Sequence, residues 1–445
     1  MGAAKPMGDL AMISKREYGG FAVGAIIFFL LSFALFKQIP PTKNHIDLDS
    51  GAYVQAANFL LRDGSFAILK QQPYYELGYP LFLAGIKKIG DESVWFAVAV
   101  QVLLAWLITL LIWRITGLLF NRRAAWIAYA FAIMHVGFLV FAQFFLTEIL
   151  LVLLLCITIE RLLLFLQTRR LSVLAAAGFT LGLSCTVKAV AVLFLLPLAL
   201  FVGVFSWRQE MVKKIAVLVA MFMLSYGTYV AHNQVTFIQH ARSSMAKVNL
   251  FYWYYPRLRA EINGTDSYEE QRSLQQMPFE DIPSMLVRDV LGHPGKAFIA
   301  LGKNWLKTLL GLYTSNVKLL VDNAFVSGCL SFFSLKGSFI QRVWGYISGH
   351  TEHAWIKGLG CIEAALLLFR YILVPFGLWA LCARKRWWDA AFIVLYLGYF
   401  VGISGHDGCA RFRMMIDMII LALAAGGYSS LHHWWLCKLQ MRDIN

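Results

Sequence analysis

Runs of about 20 apolar residues restrict this chain most, because a helix of that length crosses the hydrocarbon core of a bilayer. Such runs lie near 19–39, 93–119, 124–141, 144–166, 171–186, 188–206, 215–234, 359–382, 389–404 and 412–430. They predict an all-α polytopic membrane protein with about ten transmembrane helices and two extended outer loops containing juxtamembrane helices. Residues 171–206 are divided at Lys188, since a charge at mid-bilayer is costly and marks a surface or a site. Composition agrees: 59% of the residues are hydrophobic and 15% charged, where a soluble domain is nearer half and a quarter. No small-residue cleavage site follows the first run, so it reads as a retained helix rather than a signal peptide.

The formal net charge of +15 is explained by topology rather than by nucleic-acid binding. With the N-terminus inside, the cytoplasmic pieces carry 15 basic residues, from Lys5, Lys15 and Arg16 to Lys438 and Arg442. The short outer loops carry only Lys188, Arg411 and Arg413. These three break the positive-inside pattern, which makes them candidates for function. The seven cysteines are scattered without a C-x-x-C pair, which argues against a disulfide framework or zinc site.

Five parts follow along the chain: a tail and first helix (1–39), a first outer loop (40–92), helices two to seven (93–234), a large outer loop (235–358), and the C-terminal helices with a cytoplasmic tail (359–445). In the first outer loop, Ser50 caps a helix whose positions Tyr53, Ala56, Ala57 and Leu60 recur at helical spacing, and Gly64 ends it. In the large loop, 297–313 is apolar but broken by Lys303, Asn304 and Lys307, and is expected to lie in the interface as an amphipathic helix. Trp387, Trp388, Trp434 and Trp435 read as an interfacial belt.

Asp47 and Asp49 stand one residue apart on the turn into the Ser50 helix, beside the outer membrane surface. A lone D-x-D is commonly a solvated cap. At this place, between apolar segments, the pair is a candidate general base or metal ligand. Glu148 lies near the outer end of an apolar run, suited to orienting a cation or to binding sugar or metal. His406 and Asp407 stand near Arg411. Glu363 and Arg370, seven apart on one helical face, are expected to pair with each other. Tyr53 is suited to packing on sugar or lipid, although core packing is the commoner fate of such an aromatic.

An acidic motif in the first outer loop resembles the hallmark of the GT-C superfamily, polytopic glycosyltransferases whose donor is a sugar on polyprenyl phosphate. The resemblance is to the branch of the protein O-mannosyltransferases and the aminoarabinose transferase of lipid A. It rests on Asp49-Ser50 with Tyr53, on Gly78-Tyr79-Pro80-Leu81-Phe82-Leu83-Ala84, on Thr147-Glu148, on Lys188 and on Arg411-Phe412-Arg413, in order from residue 47 to 413. Two features depart from the family pattern. Asp49 is followed by Ser rather than Glu, and Tyr75-Glu76-Leu77 stand where a basic residue usually precedes the glycine. Lys70, Lys87 and Lys88 are the nearby cations able to meet a phosphate in its place.

The resemblance implies transfer of a sugar from a polyprenyl-phosphate donor, such as undecaprenyl phosphate, to a hydroxyl of a glycolipid, glycan or protein. It places the reaction on the periplasmic side of a bacterial inner membrane, with inversion at the anomeric carbon. Asp49 is the expected base and Asp47 its helper. Lys188, Arg411 and Arg413 are the expected phosphate contacts, with Lys87 as a further candidate. No cofactor is expected, although a divalent metal at Asp47 and Asp49 is chemically feasible. Two rival readings remain. One is a flippase of lipid-linked sugars. The other is a glycan ligase using polyprenyl pyrophosphate, for which His293, His350 and His353 are the loop candidates.

Overall fold

The computed structural model describes residues 15–40, 49–63, 76–207, 210–231, 249–278, 281–321, 337–348, 354–405 and 408–442. Among them every regular element is a helix. This follows from the medium, because an apolar segment in lipid satisfies its backbone polar groups only internally.

The first helix, α1 (Lys15–Lys37), is followed by two short helices of the first outer segment, α2 (Ser50–Asp63) and α3 (Gly78–Ile89). Then come α4 (Val94–Leu119), α5 (Arg122–Ile133), α6 (Val136–Phe141), α7 (Glu148–Thr168) and α8 (Leu171–Val187). A 3-10 turn (Ala189–Phe194) leads into α9 (Leu195–Phe205), and α10 (Met211–Phe222) continues through a π turn (Met223–Gly227). The large outer segment holds α11 (Tyr255–Asn263), α12 (Ser267–Gln275), α13 (Ile282–Gly292), α14 (Pro294–Leu310), α15 (Thr314–Val321) and α16 (Phe339–Ser348). Three long helices close the chain: α17 (Ala354–Ala383), α18 (Trp387–Ser404) and α19 (Ala410–Arg442).

Seven of the described helices are long and apolar enough to cross a membrane, and 171–187 and 189–205 are shorter apolar helices. The chain is an integral membrane protein. The expected run 124–141 is two helices, because the chain breaks at Met134 and His135 caps α6 through Nδ1 to the Phe138 amide (3.3 Å). The expected division at Lys188 is present: this residue has extended backbone (φ −156°, ψ 120°) between α8 and the 3-10 turn.

The C-terminal helix is the axis of the bundle. In its 18-residue apolar window 83% of the residues are buried, against 17% for that of α1 at the periphery. It lies flush on α17. A Cβ on Gly377 would sit 2.2 Å from the Leu423 carbonyl oxygen, and one on Gly427 would sit 2.2 Å from that of Leu373. Only glycine permits this backbone approach.

The outer segment builds a second, smaller core from Phe251, Tyr254, Tyr255, Leu258, Leu274 and Leu286, among others. Its helix α14 is amphipathic as expected, but its faces are inverted. Ala297, Ala300, Asn304 and Thr308 are buried, while Phe298, Ile299, Leu306 and Leu310 are exposed. The inward Asn304 holds the carbonyl of Gly405 just after α18, and the outward face is one suited to lipid. The four belt tryptophans are exposed. The six described cysteines are free thiols.

Candidate active site

Four side chains from distant segments meet at one end of the bundle. Asp49 sits on the turn before α2, and its carbonyl accepts the Ala52 and Tyr53 amides that start that helix (3.1 and 3.4 Å). Glu148 is the first residue of α7, where the helix dipole favours an anion. Lys188 occupies the break after α8, and Arg411 lies in the first turn of α19. Arg411 Nη2 donates to Asp49 Oδ2 at 2.9 Å, and Arg411 Nε to Glu148 Oε1 at 2.9 Å. Lys188 Nζ donates to the same Glu148 oxygen at 2.9 Å. One carboxylate oxygen thus draws two cations together. The Phe412 ring lies 4.8 Å from Lys188 Nζ, adding a cation–π contact.

Exposure differs sharply within the cluster. The Asp49 side chain is 38% exposed, against 17% for Arg411, 20% for Lys188 and 3% for Glu148. The acid at the rim can meet a ligand, whereas the acid at the base serves to hold the cations. The first outer segment is brought here by Gly78. A Cβ there would lie 2.6 Å from the Thr186 carbonyl oxygen, so α3 packs directly on the last turn of α8 before Lys188.

The remaining predicted residues fall elsewhere. Asp47, Lys70, His406, Asp407, His350 and His353 lie outside the described residues. Tyr53 is buried, edge-on to Tyr79 with ring centroids 5.3 Å apart. Tyr79 in turn donates to Gln101 (2.8 Å). Lys87 bonds Asn58 Oδ1 and joins α3 to α2 rather than entering the cluster. His293 is exposed between α13 and α14.

Arg413, expected as a phosphate contact, is not brought into this cluster. It is 1% exposed and points away from Arg411, since two residues on a helix are about 200° apart. Its Nε pairs with Asp417 (3.2 Å), and its Nη1 donates to the carbonyls of Leu309 (2.9 Å) and Gly311 (2.5 Å). Asp417 also accepts His135 Nε2 (2.9 Å) and the Tyr313 hydroxyl (2.6 Å). Glu363 does not pair with Arg370 as expected. It accepts the amides of Tyr313 (2.7 Å) and Thr314 (2.9 Å) and faces Arg413 at 3.7 Å. Arg370 instead reaches the Phe131 carbonyl.

Asp417 and His135 were missed in the sequence. Each is an ionisable residue inside an apolar run, and that was the available signal. Glu76 forms a third arrangement, a half-buried residue whose carboxyl accepts the Tyr229 hydroxyl at 2.5 Å, with no ion pair among the described residues. Burial pushes it up to about 7 despite the opposing hydrogen bond from Tyr229.

The course of these helices matches known proteins. Over 97% of its length the chain superposes on the oligosaccharyltransferase AglB of the archaeon Archaeoglobus fulgidus, solved with an inhibitory peptide and a dolichol-phosphate. The TM-score is 0.51 and the identity 11%. The fold is that of the GT-C glycosyltransferases. The chain spans about half (52%) of that oligosaccharyltransferase. The sequence model of a family described as dolichyl-phosphate-mannose-protein mannosyltransferase matches residues 72–228 of this GT-C fold, which include Glu148 and Lys188. A looser likeness, with a TM-score of 0.42 and 12% identity, links 92% of the chain to 78% of ArnT from Cupriavidus metallidurans, solved with undecaprenyl phosphate. No curated protein matches in the sequence search.

Proposed function

We propose that the protein is a membrane glycosyltransferase that moves a sugar from a polyprenyl-phosphate donor to a hydroxyl acceptor. The observation that carries this reading is the rim carboxylate of Asp49 bonded to Arg411, which shares Glu148 with Lys188. The GT-C fold and the family match over 72–228 support it. The reaction needs both halves of that arrangement. The acceptor oxygen attacks the anomeric carbon as the bond from that carbon to the phosphate oxygen breaks. The electron pair leaves with the phosphate, and the acceptor proton passes to Asp49. Lys188 and Arg411 stabilise the charge gathering on the leaving phosphate.

In the free protein Arg411 is bound to Asp49. A donor phosphate competes for Arg411 and so releases the carboxylate to act as base. Donor binding thereby arms the base. A single displacement inverts the anomeric configuration. We place the reaction on the outer face, in a bacterial inner membrane, with a glycolipid, glycan or protein as acceptor. Protein cations serve the phosphate, so we assign no metal; turnover insensitive to chelator is the expected outcome.

The test is transfer from a radiolabelled polyprenyl-phosphate sugar by purified protein in lipid, with an acceptor extract, for wild type beside Asp49→Asn. A fall of about a hundredfold or more is expected. Equal transfer by both proteins overturns the role of Asp49. If neither transfers sugar, but vesicles carrying the protein move labelled lipid between leaflets, the flippase reading replaces this one.

A further inference from the structure

The large outer segment grips the chain on both sides of Arg411. Before Arg411, the buried Asn304 of α14 donates Nδ2 to the Gly405 carbonyl (2.7 Å), and its Oδ1 accepts Arg257 of α11 (2.9 Å). Trp305 donates to the Gly402 carbonyl (3.3 Å). Gly408 has a positive φ of 67° and passes so close to Asn304 that a Cβ there would lie 2.8 Å from its Cα. Gly405 and Gly408, which precede α19, are therefore both held against α14. After Arg411, the joint between α14 and α15 is capped by buried charges. Arg413 takes carbonyls at the end of α14, and Glu363 takes amides at the start of α15. These are the groups that helix ends leave without partners, and the charges have the signs that the helix dipoles favour.

We infer that Asn304 and the Arg413–Glu363 clamp are positioning residues, through which the large outer segment fixes the rotation and height of the first turn of α19 and so aims Arg411 at Asp49. The inference rests on the reading of Arg411 as a phosphate contact only for its effect on catalysis. The geometric claim stands apart from it. The hydrogen bonds of the Asn304 side chain go to Gly405 and Arg257, so its route to Asp49 runs through the turn at Gly405 and then Arg411.

The experiment is hydrogen–deuterium exchange of the full chain in lipid nanodiscs, read at peptides covering 405–413 and 49–53. Asn304→Ala is expected to speed exchange about tenfold in both peptides, although 49–53 lies far from the substitution in sequence. Arg411→Gln is expected to speed 49–53 alone, and adding Asn304→Ala to it should change 49–53 no further. Tyr313→Phe, which removes only the hydroxyl bonded to Asp417, is the second variant and should move 49–53 in the same direction. Unchanged exchange at 49–53 in both Asn304→Ala and Tyr313→Phe overturns the inference, as does an additive effect in the Arg411→Gln background. In the transfer assay, Asn304→Ala should cost about tenfold beside Arg411 and under about twofold beside Gln at that position. A wild type that transfers no sugar defeats the proposed function, while the exchange data still decide the positioning.

Discussion

Two clusters of similar chemistry begin from the same turn of α19 and come to opposite ends. Arg411 faces Asp49 and Glu148, with a half-open acid at the rim. Arg413, two residues on, is sealed among Asp417, Glu363 and backbone carbonyls. In the first cluster the Asp49 end of the ion pairs is open to water, so a ligand of the right charge can exchange for a partner. In the second, every charge is committed to another part of the protein. Removing one partner there leaves a charge buried without compensation. Residue type does not separate a reactive cluster from a structural one. Exposure, and the presence of a partner that can be displaced, do.

That contrast can be broken most forcefully at Arg413. Arg413→Leu should cost about 3–5 kcal/mol of stability, because Asp417 and Glu363 remain buried. Unfolding midpoints in a denaturing-detergent titration would show it, and a midpoint like that of wild type would mean the cluster is not structural. Glu76 sharpens the contrast, as a half-buried acid with no ion pair among the described residues. Its folded value near 7 lies above the ordinary 4.5. Between those values the folded state holds a proton that the unfolded chain has released. Stability is therefore full below about 4.5, falls as pH rises to 7, and is level above, by up to about 3 kcal/mol. Glu76→Gln should remove that slope in titrations at pH 4.5 and 8. A slope that persists in the variant assigns it to other groups.

Arg411→Gln should behave in the reverse way to Arg413→Leu. Transfer falls about a hundredfold, while stability falls by less than at Arg413, because Asp49 is partly open to water and the buried Glu148 keeps Lys188 as its partner. Comparable stability losses at 411 and 413 would erase the distinction. A smaller stability loss than at Arg413 is expected from Tyr313→Phe. Removing one hydrogen bond to a buried carboxylate should cost about 1.5 kcal/mol, read by the same titration.

Much of the first cluster was legible in the sequence, because its members violate local expectation. Lys188 interrupts an apolar run, Glu148 opens one, and Arg411 sits on the side that should lack cations. Each anomaly pointed to a site before any fold was known. Arg413 carries the same anomaly as Arg411, and nothing local tells them apart. Only the rotation of α19 turns one toward Asp49 and the other inward. Asp417 and His135 were passed over as single polar residues in hydrophobic stretches. Their meaning depends on Tyr313, which arrives from the outer segment about a hundred residues before Asp417. The inverted faces of α14 were illegible for a related reason. Helical periodicity reveals two faces, but not that Asn304 turns inward to hold the Gly405 carbonyl just after α18.

The buried caps on the joint at 309–314 also bear on how such a protein can be rebuilt. An outer segment looks like the natural unit to transplant when a new acceptor is wanted, since it forms its own small core. Its internal joint between α14 and α15 is finished by side chains that belong to the membrane helices α17 and α19. A graft cut at the loop boundaries would carry away the backbone groups and leave Arg413 and Glu363 stranded in the host. The exchangeable unit is therefore the loop together with Glu363, Arg413 and Asp417, and chimeras that move all of them as one piece are the ones to build.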